Sequence, residues 1–316
     1  MPADTNADHW DRLVQQTEGI DPWCSSRAWV ESAWRAWAHE VPVVELVGEH
    51  GRFMGQGIDT SDDRHLLVGM ERLWGFGSPL VGVDAALAGR ELDGLFRDTP
   101  GWDALVLPGI SLDSGIGRSL IGRLARDHSI RLGPTMTRQQ ARLDGDVEAW
   151  FSRRSAKLRR NLTRAERAGE VVGVEFEVLD ALPPRRVLER VVAIEEHSWK
   201  GTEGSGILPD DLSAFYLLLL EACAASDSMR ASVARIGDED AGYILGGVIA
   251  GRYRGFQISY TEAAEPHSIG NLLQLHELRR LAAEGVTIYD MGMDMDYKRR
   301  WADQEMTTHT VMVVRH

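Results

Sequence analysis

Two stretches of the chain repeat one order of elements. Residues 102–110 read as a strand, followed by Gly115-Ile116-Gly117-Arg118-Ser119-Leu120, a helix and a strand at 130–134. Residues 252–260 read as a strand, followed by Ser268-Ile269-Gly270-Asn271-Leu272-Leu273, a helix and a strand at 286–291. Aligning Gly117 with Gly270 gives an offset of 153 residues in a chain of 316. At roughly 150 residues per domain, such a length already favours two domains. The matching order predicts that one mixed domain was duplicated, with the first domain over 1–143 and the second over 144–316.

Periodicity fills in the remaining elements. Trp29, Val30, Ala33, Trp34 and Trp37 recur at helical spacing within 26–38, and VPVVELVGEHGRFMGQGI reads as a hairpin turned at Gly48 to Gly51. RHLLVGM and RLWGFGSPL read as short strands, and 84–98 and 115–127 as helices, with a strand over 130–138. Asp146 is placed to cap one helix running to about Ala168, stopped by Gly169. Val172, Val174, Phe176 and Val178 alternate as in a half-buried strand, and helices near 184–198 and 209–225 follow. Strands near 229–236 and on both sides of Gly251, a helix over 269–284, and strands at 286–291 and 308–315 complete the chain. The fold class is α+β, with a central mixed sheet flanked by helices in each of the two domains.

Composition removes several function classes. With 35 Lys plus Arg against 48 Asp plus Glu, the net charge of −13 argues against broad binding of duplex nucleic acid. Cys24 and Cys223 lie far apart and form no CxxC, so neither a thiolate zinc site nor a disulfide framework is indicated, and a reducing cytoplasm fits. The start of the chain lacks a signal-peptide pattern, and no apolar stretch reaches the ~18–20 residues of a membrane span. A soluble cytoplasmic protein is expected. No Walker loop, Ser/His/Asp order or activated-cysteine context is present.

Four constellations carry chemistry. Ser268-Ile269-Gly270-Asn271 and Gly115-Ile116-Gly117-Arg118 each join a strand to a helix start, where unpaired amides and the helix dipole favour an anion such as a diphosphate. Arg153, Arg154, Lys157, Arg159, Arg160, Arg164 and Arg167 put seven positive charges against Glu166. Residues 153, 157, 160, 164 and 167 share one helix face, which is either solvated or a dock for a phosphorylated substrate, cofactor tail or RNA. The run Glu195-Glu196-His197-Ser198-Trp199-Lys200 enters the loop GTEGSG. Glu196 or His197 is a candidate base there, and Trp199 and Lys200 are candidates to line a substrate pocket. Asp290, Asp294, Asp296, Tyr297, Lys298 and Trp301 follow the last parallel strand, where side chains leave the core and reach a ligand crevice. No metal site is indicated.

Taken together, the basic helix SAKLRRNLTRAERAG, the loop SWKGTEGSG, the block EPHSIGNLLQLHELRRLAAEG and the ending YDMGMDMDYKRRW resemble the GNAT superfamily. The similarity is to its double-GNAT branch, which contains BcsL/CelD-like acetyltransferases and Fem-type aminoacyl-tRNA-dependent transferases. It implies two GNAT-like domains and an N-acyltransferase that moves an acyl group, with acetyl-CoA or another acyl-CoA as donor and no metal, to the amine of a small molecule or peptide. It further implies pantetheine along Gln257 to Tyr260, with strand amides near Ser259 polarising the thioester, and diphosphate at Ser268, Ile269, Gly270 and Asn271. A base drawn from Glu196, His197 or Asp290, positioning by Tyr297 or Lys298, and substrate contacts from Trp199, Lys200 and Trp301 complete the implied site. The usual phosphate loop, R/Q-x-x-G-x-G/A, is replaced by His267-x-x-Gly270-x-Leu272 and Leu112-x-x-Gly115-x-Gly117, so either half is a candidate to hold the donor. The Fem-type alternative replaces acyl-CoA with charged tRNA and gives Lys298 a substrate phosphate. A further alternative is a non-catalytic binding protein that keeps the fold.

Overall fold

A computed structural model describes residues 5–71, 73–98, 101–144, 146–202 and 206–315. Residues 203–205 of the expected glycine-rich loop lie outside this set. The chain forms two compact units, residues 1–137 with 307–316, and residues 138–306. Residues 307–316 thus belong with the first unit, whereas the sequence reading ran the second domain to 316.

The first unit contains α1 (Thr5–Gln16), α2 (Arg27–Trp37), β1 (Val43–Val47), β2 (Gly51–Asp59), β3 (His65–Gly69), β4 (Leu80–Gly82), α3 (Ala85–Asp98), β5 (Ala104–Ile110), α4 (Gly115–Leu124) and the start of β6 (Ser129–Arg142). β1, β2 and β3 pair antiparallel, and β5 joins β3 in parallel after the α3 crossover. One face of this sheet buries Phe53, Leu67, Leu105 and Leu107 against Leu92 and Phe96 of α3 and Leu120 of α4. Of RLWGFGSPL only Leu80 enters a strand, β4. The Glu71 carboxylate accepts the amides of Leu73, Trp74 and Phe76 and bends the segment before it.

The second unit continues with α5 (Val147–Ser152), α6 (Ala156–Val172), β7 (Val174–Val178), α7 (Pro184–Glu195), α8 (Trp199–Thr202), α9 (Asp210–Ala225), β8 (Met229–Ile236), β9 (Glu239–Ile249) and β10 (Arg252–Tyr260). After a 3₁₀ turn come α10 (Ile269–Ala283), β11 (Ile288–Met293) and α11 (Asp296–Arg299), and then β12 (Gln304–Val314), whose residues from 307 on belong to the first unit. The single helix expected over 146–168 is two. Arg154 turns back to the carbonyls of Trp301 and Ala302, and Ser155 starts α6 afresh by accepting the Leu158 amide, a cap worth about 1 kcal/mol. Gly169 does not end α6. It sits under Leu272 of α10, where a side chain would crowd, while Gly173 at φ +77 is the cap.

β7, β8, β9 and β10 pair antiparallel, and β11 joins β10 in parallel after the α10 crossover. Each unit thus contains a run of antiparallel strands, β1–β3 in the first and β7–β10 in the second, followed by a parallel crossover strand. The crossover matching β10–α10–β11 is β3–α3–β5, so the pairing of Gly117 with Gly270 does not mark equivalent positions. Each unit's crossover strand is then paired antiparallel with a strand from the other half of the sequence: β12 lies beside β5, and β6 beside β11. No helix among the described residues is long and apolar enough to cross a membrane.

Candidate functional site

β10 and β11 form a fork. Their parallel register runs from Arg252↔Ile288 to Arg254↔Asp290 and stops there, while β10 continues six residues further, paired only with β9. A bulge between Gly255 and Gln257 resets that pairing. The Thr261 amide donates to the Ala241 carbonyl at 3.0 Å. By antiparallel alternation, Ser259 and Gln257 direct their backbone groups to β9, whereas Ile258 and Tyr260 direct theirs to the open edge.

At the crotch of the fork the buried Asp290 carboxylate accepts hydrogen bonds from Arg138, Arg254, Gln140 and the Gly292 amide. Burial alone would raise its pKa, but Arg254, Arg138 and these hydrogen bonds outweigh it and hold the carboxyl well below the usual range. Asp290 is therefore a clamp between strands and not the base considered from the sequence.

Tyr297 and Lys298 project from α11 beside the open edge. The Lys298 ammonium donates to the Met293 carbonyl at 3.0 Å, lies 5.7 Å from the Tyr297 ring centre, and has no carboxylate within 4 Å among the described residues. Asp294 and Asp296 are instead engaged by Arg299. Burial, then the charges of Arg254 and Lys200, push the Lys298 pKa down to about 8 against the opposing pull of Asp290 and Asp294. Burial and the nearby Tyr260 push the Tyr297 phenol up to about 12. Trp301, expected to line a substrate pocket, is buried. It stacks on Trp150 at 5.3 Å, and its carbonyl takes hydrogen bonds from Trp150 and Arg154, so it serves the core.

On the α7–α9 side, the Lys200 ammonium donates to Gln257 Oε1 at 2.8 Å and to the Ile258 carbonyl at 2.9 Å. Gln257 Nε2 in turn donates to the Tyr216 hydroxyl at 2.8 Å. Glu196 and His197 are exposed at the end of α7, and His197 Nδ1 is 2.9 Å from the Ala193 carbonyl. Trp199 is 43% exposed. The carboxylate that turns inward is Glu195, fully buried, with Tyr243 donating to its Oε2 at 3.0 Å. Burial and the Glu195 charge push the Tyr243 phenol well up, so it stays protonated. Glu195 was legible as a buried position because it continues the α7 stripe of Val187, Val191 and Ile194.

The two helix starts differ. At α4 the Ser114 hydroxyl accepts the Gly117 amide and donates to the Ser111 carbonyl, and a side chain at Gly19 or Gly117 would press into these serines. At α10 the preceding Ser268 has φ +58, makes no side-chain cap, and is followed by no acid in the first turn. Gly270 lies under the Tyr260 ring, which a side chain there would push aside. Asn271 is exposed, while the Ile269 side chain packs in the core with Ala165, Ala264 and Leu272. Ser259 is buried and its hydroxyl lacks a hydrogen-bond partner. The role expected of Ile269 is thus open to its backbone alone, and Ser259, whose backbone groups face β9, leaves the role expected near it to the backbone of Ile258 and Tyr260.

On α6, Arg153 and Arg154 are bound to Asp303, and Arg159 to carbonyls of Ser152 and Arg154. Lys157, Arg160, Arg164 and Arg167 are exposed and have no carboxylate partner among the described residues. No group of three or more metal-ligating side chains is gathered among the described residues.

Residues 152–299 match the family model described as the acetyltransferase (GNAT) domain. No curated protein matches the sequence. Among solved structures the chain is similar to FemX, with 11% identity and a TM-score of 0.70 over 98% of this chain and 96% of that one. It is also similar to a conserved protein of unknown function from Bacteroides thetaiotaomicron VPI-5482, with 10% identity and a TM-score of 0.64 over 99% of each chain. A tandem GNAT protein from the clavulanic acid biosynthesis pathway matches at 10% identity and a TM-score of 0.50 over 99% of this chain and 97% of that one. The whole chain has the two-domain fold of these proteins.

Proposed function

We propose, taking residues 152–299 as the GNAT-type acetyltransferase domain that they match, that the second unit transfers an acyl group from acyl-CoA, acetyl-CoA first among them, to an amine. The observation that carries this reading is the fork. The edge of β10 turned away from β9 carries the backbone groups of Ile258, whose carbonyl Lys200 holds, and of Tyr260, next to the bridge between Ser198 and Thr261. An extended amide chain could add to it at Ile258, and the uncapped α10 start lies at Ser268 and Gly270, just past that edge. The start of α4, the other candidate that the sequence offers, is closed by Ser114, which favours the second unit as donor site.

The donor supplies a thioester whose acyl carbon accepts the amine. An amide on the open edge polarises the carbonyl. Lys298, with its pKa near 8, is a neutral amine in a fraction of molecules near neutral pH, and in that form it takes the proton that the acceptor nitrogen loses on forming the new bond. Tyr297 remains a phenol at neutral pH and donates to the departing thiolate, recovering its proton from solvent. Trp199 lines the acceptor side. An acyl-CoA donor also implies a cytoplasmic setting. Calorimetry with acetyl-CoA, followed by mass spectrometry of a panel of primary amines incubated with donor and protein, tests this: the expected result is donor binding and acylation of one class of amine.

A second reading, aminoacyl transfer from charged tRNA, is favoured by one observation, the four unpaired cations along α6. Their pitch of about 5 Å along the helix suits consecutive phosphates. Binding of aminoacyl-tRNA that falls steeply with salt would support it.

A further inference from the structure

Lys200 holds part of the edge that the proposed donor needs. The Ile258 carbonyl points away from β9 into the fork, and the Lys200 ammonium already occupies it at 2.9 Å while also holding Gln257 Oε1. An extended amide chain added to β10 would need that carbonyl. The ammonium is costly to keep there, because burial disfavours its charge, against the opposing attraction of Glu195.

Glu195 is equipped to receive it. Tyr243 and Ser198 donate to Oε2, whereas the buried Oε1 has no hydrogen-bond partner, a vacancy that costs free energy in a dry interior. Gly206, at φ +84, lies against that oxygen, where a side chain would collide with Oε1 and touch the Lys200 side chain.

We propose that Lys200 is a two-position residue: it rests on the Ile258 carbonyl when the groove is empty and moves to Glu195 Oε1 when the donor's amide chain takes its place on β10. The residue thus positions the donor by yielding to it. This rests on the acyl-CoA reading above, and the sequence-based expectation that Lys200 binds substrate becomes a competition with it.

Calorimetry with acetyl-CoA on the wild-type chain and three variants tests the idea. Lys200→Met frees the carbonyl and is expected to bind about tenfold more tightly, equivalent to about 1.4 kcal/mol. Glu195→Gln removes the receiving charge and is expected to bind several-fold more weakly. The double variant is expected to bind like Lys200→Met alone, because the receiving charge matters only when the lysine is present. Equal or weaker binding by Lys200→Met overturns the proposal and leaves the donor reading intact, as does an equal loss from Glu195→Gln in both backgrounds. Absence of acetyl-CoA binding in the wild type and in Lys200→Met overturns the donor reading and the proposal together.

Discussion

The Lys298 ammonium donates a hydrogen bond to the carbonyl of Met293, the last residue of β11, at 3.0 Å, and no acidic side chain among the described residues shares it. A lysine so held at the mouth of the fork is available to a substrate in a way that Arg254, bound to Asp290, is not.

Replacing Lys298 with Met keeps most of the stem and removes the charge. Turnover is expected to fall at least about tenfold, roughly 1.4 kcal/mol in the barrier, with stability unchanged or raised at neutral pH. The sign follows from its pKa, which is lowered from 10.5 to about 8, so that burying the cation costs stability below pH 8 and this cost fades as pH rises toward 10.5. Thermal melts of both proteins from pH 7 to 10 should therefore converge. A variant that melts early at pH 7 would make the lysine a structural partner.

For Asp290→Asn the expectation is reversed. Two buried guanidinium groups lose their counter-charge, and breaking such a cluster costs about 3–5 kcal/mol, read as a lower midpoint in denaturant. In the wild type the stabilisation is fully present above the ordinary carboxyl value of 3.8 and is lost as pH falls below it. A stable, folded variant deficient only in catalysis would restore Asp290 as a base.

The helix starts separate in a paired test. Gly270→Trp should abolish acetyl-CoA binding, since its side chain must displace the Tyr260 ring beside the α10 amides. Gly117→Ala should lower stability instead, because its methyl would run into the Ser111 carbonyl, and acetyl-CoA affinity of the folded fraction should not change. Loss of affinity only in the second variant would move the donor site to α4.

Reversal of Lys157, Arg160, Arg164 and Arg167 to Glu touches no internal ion pair, so little change in melting temperature is expected. If the α6 face holds tRNA, binding should vanish in this variant. In the wild type log K should then fall against log salt with a slope of roughly −3 to −4. Salt-independent activity that survives the four changes would exclude the tRNA reading.

The elements with strong periodicity were legible: β8 spans residues 229–236 as expected, and the hairpin turned at Gly251 is β9 and β10. The placement of β12 beside β5 and of β6 beside β11 was not, because local alternation carries no information about which distant strand pairs with which. The same limit hid the break at Ser155, which is decided by Arg154 reaching carbonyls almost 150 residues away. In the site, Lys298 and Tyr297 could be named from their place after a strand. That Asp290 is spent on Arg138 and Arg254, and that Glu195 rather than Glu196 turns inward, depended on contacts in space or on an apolar stripe followed to its last residue.

Calorimetric titration of the purified chain with acetyl-CoA tests the central claim most directly. The expected result is one site per chain, with affinity in the ~1 μM to 1 mM range usual for enzyme substrates and lost in Gly270→Trp. No binding of acetyl-CoA or of longer acyl-CoAs by the wild type and Lys200→Met, together with salt-sensitive binding of aminoacyl-tRNA, would contradict it.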